Sequence, residues 1–254
     1  MTYLNVSATM NSVSGIWWTS IRGGTTSRGY LHETLIGKIE DNKPEADIYD
    51  YESKTHGLRT KTFRPLTINF GIEQHLRDAF GTVSKTKGIK CLNRMLRCGK
   101  PANWNGNVIE MDLDSDALTL SVNGEVWSAL TREKIAKHWG KLTNLVMTPG
   151  EDRMYQGRLQ HRYHPSTYYQ GLVMDRVFDE LGAGKIAVEF RVREDDKGTA
   201  WRLPIAQIKN VFQTVVVSEP TISSKVLKSS SVAVSPSLGR NIILPSMASS
   251  SDPA

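Results

Sequence analysis

At 254 residues and 39% hydrophobic content, the chain is long enough to bury a substantial core as one globular unit or two lobes. A formal net charge of +6 suits a polyanionic partner but favours nucleic acid only mildly. No apolar run approaches the roughly 18 to 20 residues of a membrane span, and the opening MTYLNVSATMNSVSG has no basic segment followed by an apolar one, so the sequence predicts a cytoplasmic protein without membrane association.

Trp17 and Trp18 open the first apolar element, and Arg22 to Gly29 follows as a basic, glycine-rich loop. Its backbone amides could approach phosphate, and it reads equally as a connector. A helix over about Tyr30–Asp41 is expected to bury Leu31, Leu35 and Ile39 at four-residue spacing, leaving Glu33 toward the polar side. Ala46–His56 reads as a β-strand. Alternation then puts Asp50, Glu52, Lys54 and His56 on one face, which strand packing does not ask for. Two carboxylates and an amine suit phosphodiester hydrolysis. A hard cation such as Mg²⁺ takes oxygen ligands from one or two carboxylates plus a phosphate, and Asp47 and Glu52 can supply them. Lys54 can steady charge gathering on phosphorus. A Glu-x-Lys alone also fits a solvated strand edge.

Beyond this strand lie a basic stretch, Gly57–Pro65, and Leu66–Phe70, which reads as the strand pairing beside Ala46–His56. Thr82–Lys100 is the densest cationic run, with Lys85, Lys87, Lys90, Arg94, Arg97 and Lys100 and almost no acid, so phosphate contact is expected of it. Cys91 and Cys98, if helical between, would stand about 10 Å apart, too far for a disulfide, and no histidine spacing makes them a zinc site. Val108–Trp127 reads as a β-meander turning at Asp114-Ser115-Asp116 and Asn123-Gly124, one face wet with Glu110, Asp112 and Asp114. A short helix at Thr131–Trp139 and a strand at Leu142–Met147 follow. Arg153–Tyr169 holds His161, His164 and several tyrosines, compatible with base contacts or with a surface loop. Thr167–Leu181 has helical spacing ended by Gly182-Ala183-Gly184. A strand at Lys185–Arg193, a turn, and a strand at Thr199–Leu203 close the folded region, with Arg191 and Arg202 on them. Arginine forks onto guanine O6 and N7, although arginines also snorkel from sheet surfaces. From Ser218 the chain is serine-rich with interspersed prolines and is expected to be mobile or loosely docked.

Five segments in this order, GYLHETLIGKIEDN from Gly29, ADIYDYESKTH from Ala46, MLRCGK from Met95, VEFRV from Val188 and GTAWRL from Gly198, resemble the MvaI/BcnI group of type II restriction endonucleases. These are relatives of the mismatch-repair nickase MutH in the PD-(D/E)xK superfamily. The resemblance covers most of the chain. It implies that Asp47 and Glu52 bind the metal, that Lys54 is the catalytic lysine, and that Glu33 approaches the same centre. It further implies that Arg191 and Arg202 read bases; His56, Lys197, Arg94 and Arg97 are expected as further DNA contacts on their own charge and position. Two departures stand out. Pro44 precedes the aspartate by three residues instead of one, and Asp195, Asp196 and Lys197 stand where the group has histidines near the central base pair. The outer pairs of the group's C/G-rich sites can be carried over; the central preference cannot.

The expectation is therefore a mixed α/β (α+β) restriction-endonuclease-like core with a second DNA-recognition lobe: an endonuclease domain at 1–217, its catalytic lobe around 26–147 and its recognition lobe mainly 150–217, then the tail at 218–254. The implied function is Mg²⁺-dependent, sequence-specific cleavage of double-stranded DNA, with Mn²⁺ able to substitute. It implies a monomer cutting one strand at a time, accompanied by a DNA methyltransferase. A MutH-like repair nickase and a catalytically inactive DNA-binding module are the alternatives.

Overall fold

The computed structural model describes residues 3–24, 26–38, 47–86, 88–193 and 197–218. Ile39, Pro44, Asp195, Asp196 and the tail beyond Ser218 lie outside them, and of Lys197 only the backbone is described. The chain opens with helix α1 (Tyr3–Val13), strand β1 (Trp17–Thr19), helix α2 (Ser27–Leu35) and strand β2 (Glu52–Gly57). It continues through β3 (Thr62–Phe63), helix α3 (Glu73–Phe80), β4 (Thr82–Val83), β5 (Lys90–Leu96), β6 (Ala102–Trp104), β7 (Asn107–Leu113), β8 (Ala117–Val122) and β9 (Glu125–Thr131). Helix α4 (Arg132–Trp139) leads to β10 (Asn144–Tyr155), β11 (Arg158–Tyr163) and β12 (Thr167–Leu172), and helix α5 (Met174–Gly182) to β13 (Ala187–Val192), β14 (Lys197–Pro204) and β15 (Phe212–Val217).

Three sheets carry the fold. A six-stranded sheet runs β1-β11-β10-β12-β15, with β2 joined to β10 in parallel. A five-stranded antiparallel sheet runs β3-β14-β13-β5-β4, and the meander β6-β7-β8-β9 forms the third. The sheets interleave along the chain. β10 itself crosses residues 147–150, where the sequence suggests a lobe boundary, and the six-stranded sheet takes strands from near both ends.

The meander turns where predicted. Asn123 and Gly124 have φ of 51° and 82°, as a two-residue hairpin turn requires, and Ile109, Met111, Leu118, Leu120 and Val122 are buried on one face. Thr131 caps α4, its hydroxyl accepting from the Lys134 amide at 3.2 Å. The main core joins meander, five-stranded sheet, α3, α4 and α5 around Trp139, Phe190 and Trp201.

Four expectations are corrected. A helix, α1, precedes Trp17, burying Val6, Met10 and Val13 at near-helical spacing. Leu66–Phe70 is not the neighbour of the Glu52–Gly57 strand; Thr67 makes one bridge to Ala200, and the neighbour is β10. The segment between Cys91 and Cys98 is largely strand β5, and both cysteines are free. Finally, Thr167–Leu172 is a strand and Arg158–Tyr163 another, so helix α5 begins only at Met174. There Tyr168 and Tyr169 find partners in Val146 and Leu145 on β10, and tertiary pairing overrides helical spacing.

Candidate active site

The stretch expected as one strand is a turn followed by a strand. Ile48 and Tyr51 exchange backbone hydrogen bonds of 3.1 and 2.9 Å around Tyr49, whose φ is 53°. The turn is anchored from below: Ile48 and Tyr51 pack with Val6 and Met10 of α1 and with Val146 and Tyr168. The four residues from 48 to 51 thus fold Asp47 back, and its Oδ2 accepts from the Ser53 amide at 2.9 Å. Ser53 lies between Glu52 and Lys54 in the chain, so Asp47 is anchored on the backbone at the start of β2, next to these two residues in sequence. Asp50 leaves the expected row; it lies in the turn, and its carboxylate accepts from Asn144, the first residue of β10, at 3.0 Å. Glu52, Lys54 and His56 do share a face, because each pairs in parallel with alternate residues of β10, Leu145, Met147 and Pro149.

Each carboxylate has an ammonium. Lys54 Nζ contacts Glu52 Oε1, and Lys38 Nζ lies 3.7 Å from Asp47 Oδ1. Lys38 and Ser53 were not singled out by sequence, since one is a lysine among many and the other acts through its backbone.

Helix α2 packs on β2 and brings Glu33 to an open pocket it lines with Arg22, His32, Ser53, Lys54 and Thr55. Arg28, one turn earlier, binds Asp152 (Nε to Oδ1, 3.0 Å), which also accepts from or pairs with His161 Nδ1 at 2.7 Å. The Arg28 side chain lies over Gly57 and Gly150, where a Cβ would approach it to 3.2 and 2.9 Å, so the glycines admit this crossing. Tyr163 Oη donates to the Arg28 carbonyl at 2.8 Å. Helix α2 is therefore tied to the sheet at its first turn. His56 is half-buried and its Nδ1 donates to the Gly57 carbonyl at 3.1 Å; burial first, then Arg28, lowers its pKa.

Buried beneath Glu33 is His32, with Nδ1 3.3 Å from Ser53 Oγ and its ring edge-on to Tyr163. Burial pushes its pKa from 6.5 down to about 4. The unfolded chain takes up this proton near pH 6.5, the folded chain not until about 4. Its contribution is thus complete above pH 6.5 and falls away with acidification, by about 3 kcal/mol at the lower limit. Urea unfolding of wild type and His32→Gln at neutral and mildly acidic pH checks this: the variant is expected to lose less stability between the two. Equal losses would contradict it.

The predicted base-reading arginines lie on the five-stranded sheet. The register pairs Arg191 with Gly198 and Arg202 with Ala187, so both share the face of β13 that carries Glu189. The opposite face, Val188, Phe190 and Val192, is in the core. Arg191 is exposed, whereas Arg202 donates through Nε to Glu189 Oε2 at 2.6 Å, which fixes its plane. Arg94 is exposed on β5, opposite Phe190. Arg97 takes a different post: its Nη1 donates to the carbonyls of Gly184 and Lys185 at 2.9 and 3.1 Å and clamps the α5–β13 connection. The backbone of Lys197 pairs with Val192.

Among the described residues no group of three or more His, Cys, Asp or Glu side chains is placed to hold a metal. Asp47 and Glu52 are two hard oxygen donors, a set that suits a cation which keeps several waters and shares a substrate phosphate and does not suit a fully protein-ligated ion.

With strands, helices and carboxylates arranged this way, the molecule has the mixed α/β fold of a restriction endonuclease. The similarity is to MvaI. Against restriction endonuclease MvaI in complex with its cognate DNA substrate, the TM-score is 0.73 at 21% identity, covering 85% of this chain and 98% of that one. Against MvaI without DNA it is 0.51, at the same identity and coverage. No protein-family model matches the chain, and no curated protein matches it by sequence. No helix among the described residues is long and apolar enough to cross a membrane.

Proposed function

We propose that this protein is a sequence-specific endonuclease of double-stranded DNA that depends on Mg²⁺, or Mn²⁺ in its place. The observation that carries the reading is the Asp47 carboxylate held on the Ser53 amide between Glu52 and Lys54, in a chain with the MvaI fold. Asp47 and Glu52 would hold the ion, which when bound polarises the scissile phosphate and makes its water more acidic. The Ser53 N–H fixes the direction of Asp47. Lys54 supplies a positive charge beside the phosphorus, where negative charge grows. Glu33, across the pocket, orients Lys54 and water from the α2 side. The contacts from Lys54 to Glu52 and from Lys38 to Asp47 keep the four groups neutral as a set until a substrate arrives.

Arg191 and Arg202 read the outer G·C pairs of a short C/G-rich site in the major groove, Arg202 held in plane by Glu189. Arg94, His56 and Lys197 contact the backbone, and Arg97 supports them through the loop it clamps. The enzyme works as a monomer, nicks one strand per binding event, and is accompanied by a DNA methyltransferase that protects the host site. Incubating supercoiled plasmid with the full-length protein, with Mg²⁺ or with EDTA, tests the reading. Nicked circles followed by linear DNA at fixed positions, only with the ion, are expected. Nicks that never become linear would instead favour a repair nickase, and duplex binding without any cleavage a DNA-reading module.

A further inference from the structure

The face that presents Glu52, Lys54 and His56 does not end at the site. Their partners on β10 are Leu145, Met147 and Pro149, and alternation carries the same face along that strand to Glu151, Arg153 and Tyr155. Here β10 and β11 run out of the core as a hairpin: Met154 is 67% and Tyr155 40% exposed. The register sets Arg162 opposite Glu151, Arg158 opposite Tyr155, and Trp17 of β1 opposite Arg162. The guanidinium of Arg153 lies over the Trp17 ring at 4.1 Å and 4.9 Å from that of Tyr155, and Arg162 lies 4.9 Å from Trp17 on its other neighbour strand. Glu151 on this stretch is paired with Arg162, which leaves Arg153 and Arg158 as net positive charge.

We propose that this arginine–tryptophan ladder is a second duplex-contacting surface, gripping the sugar-phosphate backbone beyond the segment cut at Glu52 and Lys54. It rests on the nuclease reading above. Six residues of strand separate Met147, beside Lys54, from Arg153, about 20 Å at 3.3 Å per residue, or roughly six base-pair steps of B-DNA. A duplex laid over Lys54 and following β10 reaches the hairpin within one helical turn. Arg153 is held by the Trp17 and Tyr155 rings and by its Nε, which donates to Gln160 Oε1 at 2.9 Å, so its Nη groups can meet phosphate at little cost in entropy, while Arg158, opposite Tyr155, adds an exposed charge beside it.

Binding of the full-length protein to a long duplex of arbitrary sequence, in EDTA and over a range of salt concentrations, tests the proposal. Each phosphate contact contributes about 0.9 to the slope of log K against log salt. Arg153→Ala/Arg158→Ala is expected to reduce that slope by about two and Arg153→Lys/Arg158→Lys to restore it. Arg158→Gln, which leaves the Trp17 stack intact, is expected to reduce it by about one and serves if the double variant does not fold. An unchanged slope in Arg158→Gln, or in a folded double variant, overturns the proposal whatever the change in affinity. Wild type that fails to bind the duplex at all overturns the nuclease reading, a result distinct from the first.

Discussion

Lys54→Ala is expected to slow DNA cleavage by about two to three orders of magnitude, the usual loss when one preorganised charge is removed from a reacting centre. Duplex binding in EDTA is expected to change by less than about threefold, because one phosphate contact among many is lost. The side chain is placed by backbone register: Lys54 pairs with Met147 of β10, the strand partner of β2, and alanine leaves that backbone pairing in place. Its ammonium touches Glu52, and removing it leaves that carboxylate more available to a cation. The variant should therefore bind Mg²⁺ no worse than wild type while cutting poorly, which separates it from Asp47→Asn. That second change keeps an acceptor for the Ser53 amide but removes a ligand charge, so its residual cleavage should demand far more Mg²⁺. Single-turnover cleavage across a Mg²⁺ titration measures both. A Lys54→Ala protein that cuts at the wild-type rate would remove the lysine from the chemistry.

What could be read from residue order was parity. Glu52, Lys54 and His56 alternate onto one face as their spacing says, and the meander and α4 fall where polar turns and a threonine cap put them. What could not be read was partnership. Ile48, Tyr49 and Tyr51 are good strand formers, yet they form a turn because α1 and Val146 offer Ile48 and Tyr51 a buried seat. The parallel partner of β2 lies more than 90 positions further along the chain, which no local period encodes. Arg97 sits in the densest basic run and still spends itself on two carbonyls. His32, beside Glu33 in sequence, gave no periodic signal that it was the buried member of the pair.

The largest stability effect is expected away from the cleavage centre, at Glu73. Only 5% exposed, its carboxylate accepts from the amides of Phe70 and Gly71 and from the Thr199 hydroxyl, the last two at 3.0 and 2.7 Å. It stands in the first turn of α3, where a negative charge also meets the positive end of the helix. Glu73→Ala leaves two buried donors, the Phe70 amide and the Thr199 hydroxyl, without an acceptor, each worth about 1–3 kcal/mol unless water enters, and frees the more accessible Gly71 amide to water. With partial relief, a loss of about 3 kcal/mol is expected, or roughly 6–12 °C in Tm for a chain of this size. Glu73→Gln keeps one acceptor oxygen and should lose about half as much. The consequence reaches the recognition face, because Thr199 belongs to β14, three residues before Arg202 and next to Gly198, the partner of Arg191. Loosening that strand should blur base reading before it slows cleavage, so Glu73→Gln is expected to cut near-cognate sites relatively faster than wild type does. Thermal unfolding of both variants, with cleavage of substrates altered one base pair at a time, tests the two consequences together. A Tm loss below about 2 °C for Glu73→Ala would mean that water replaces the carboxylate and that the buried network is not what holds β14 in register.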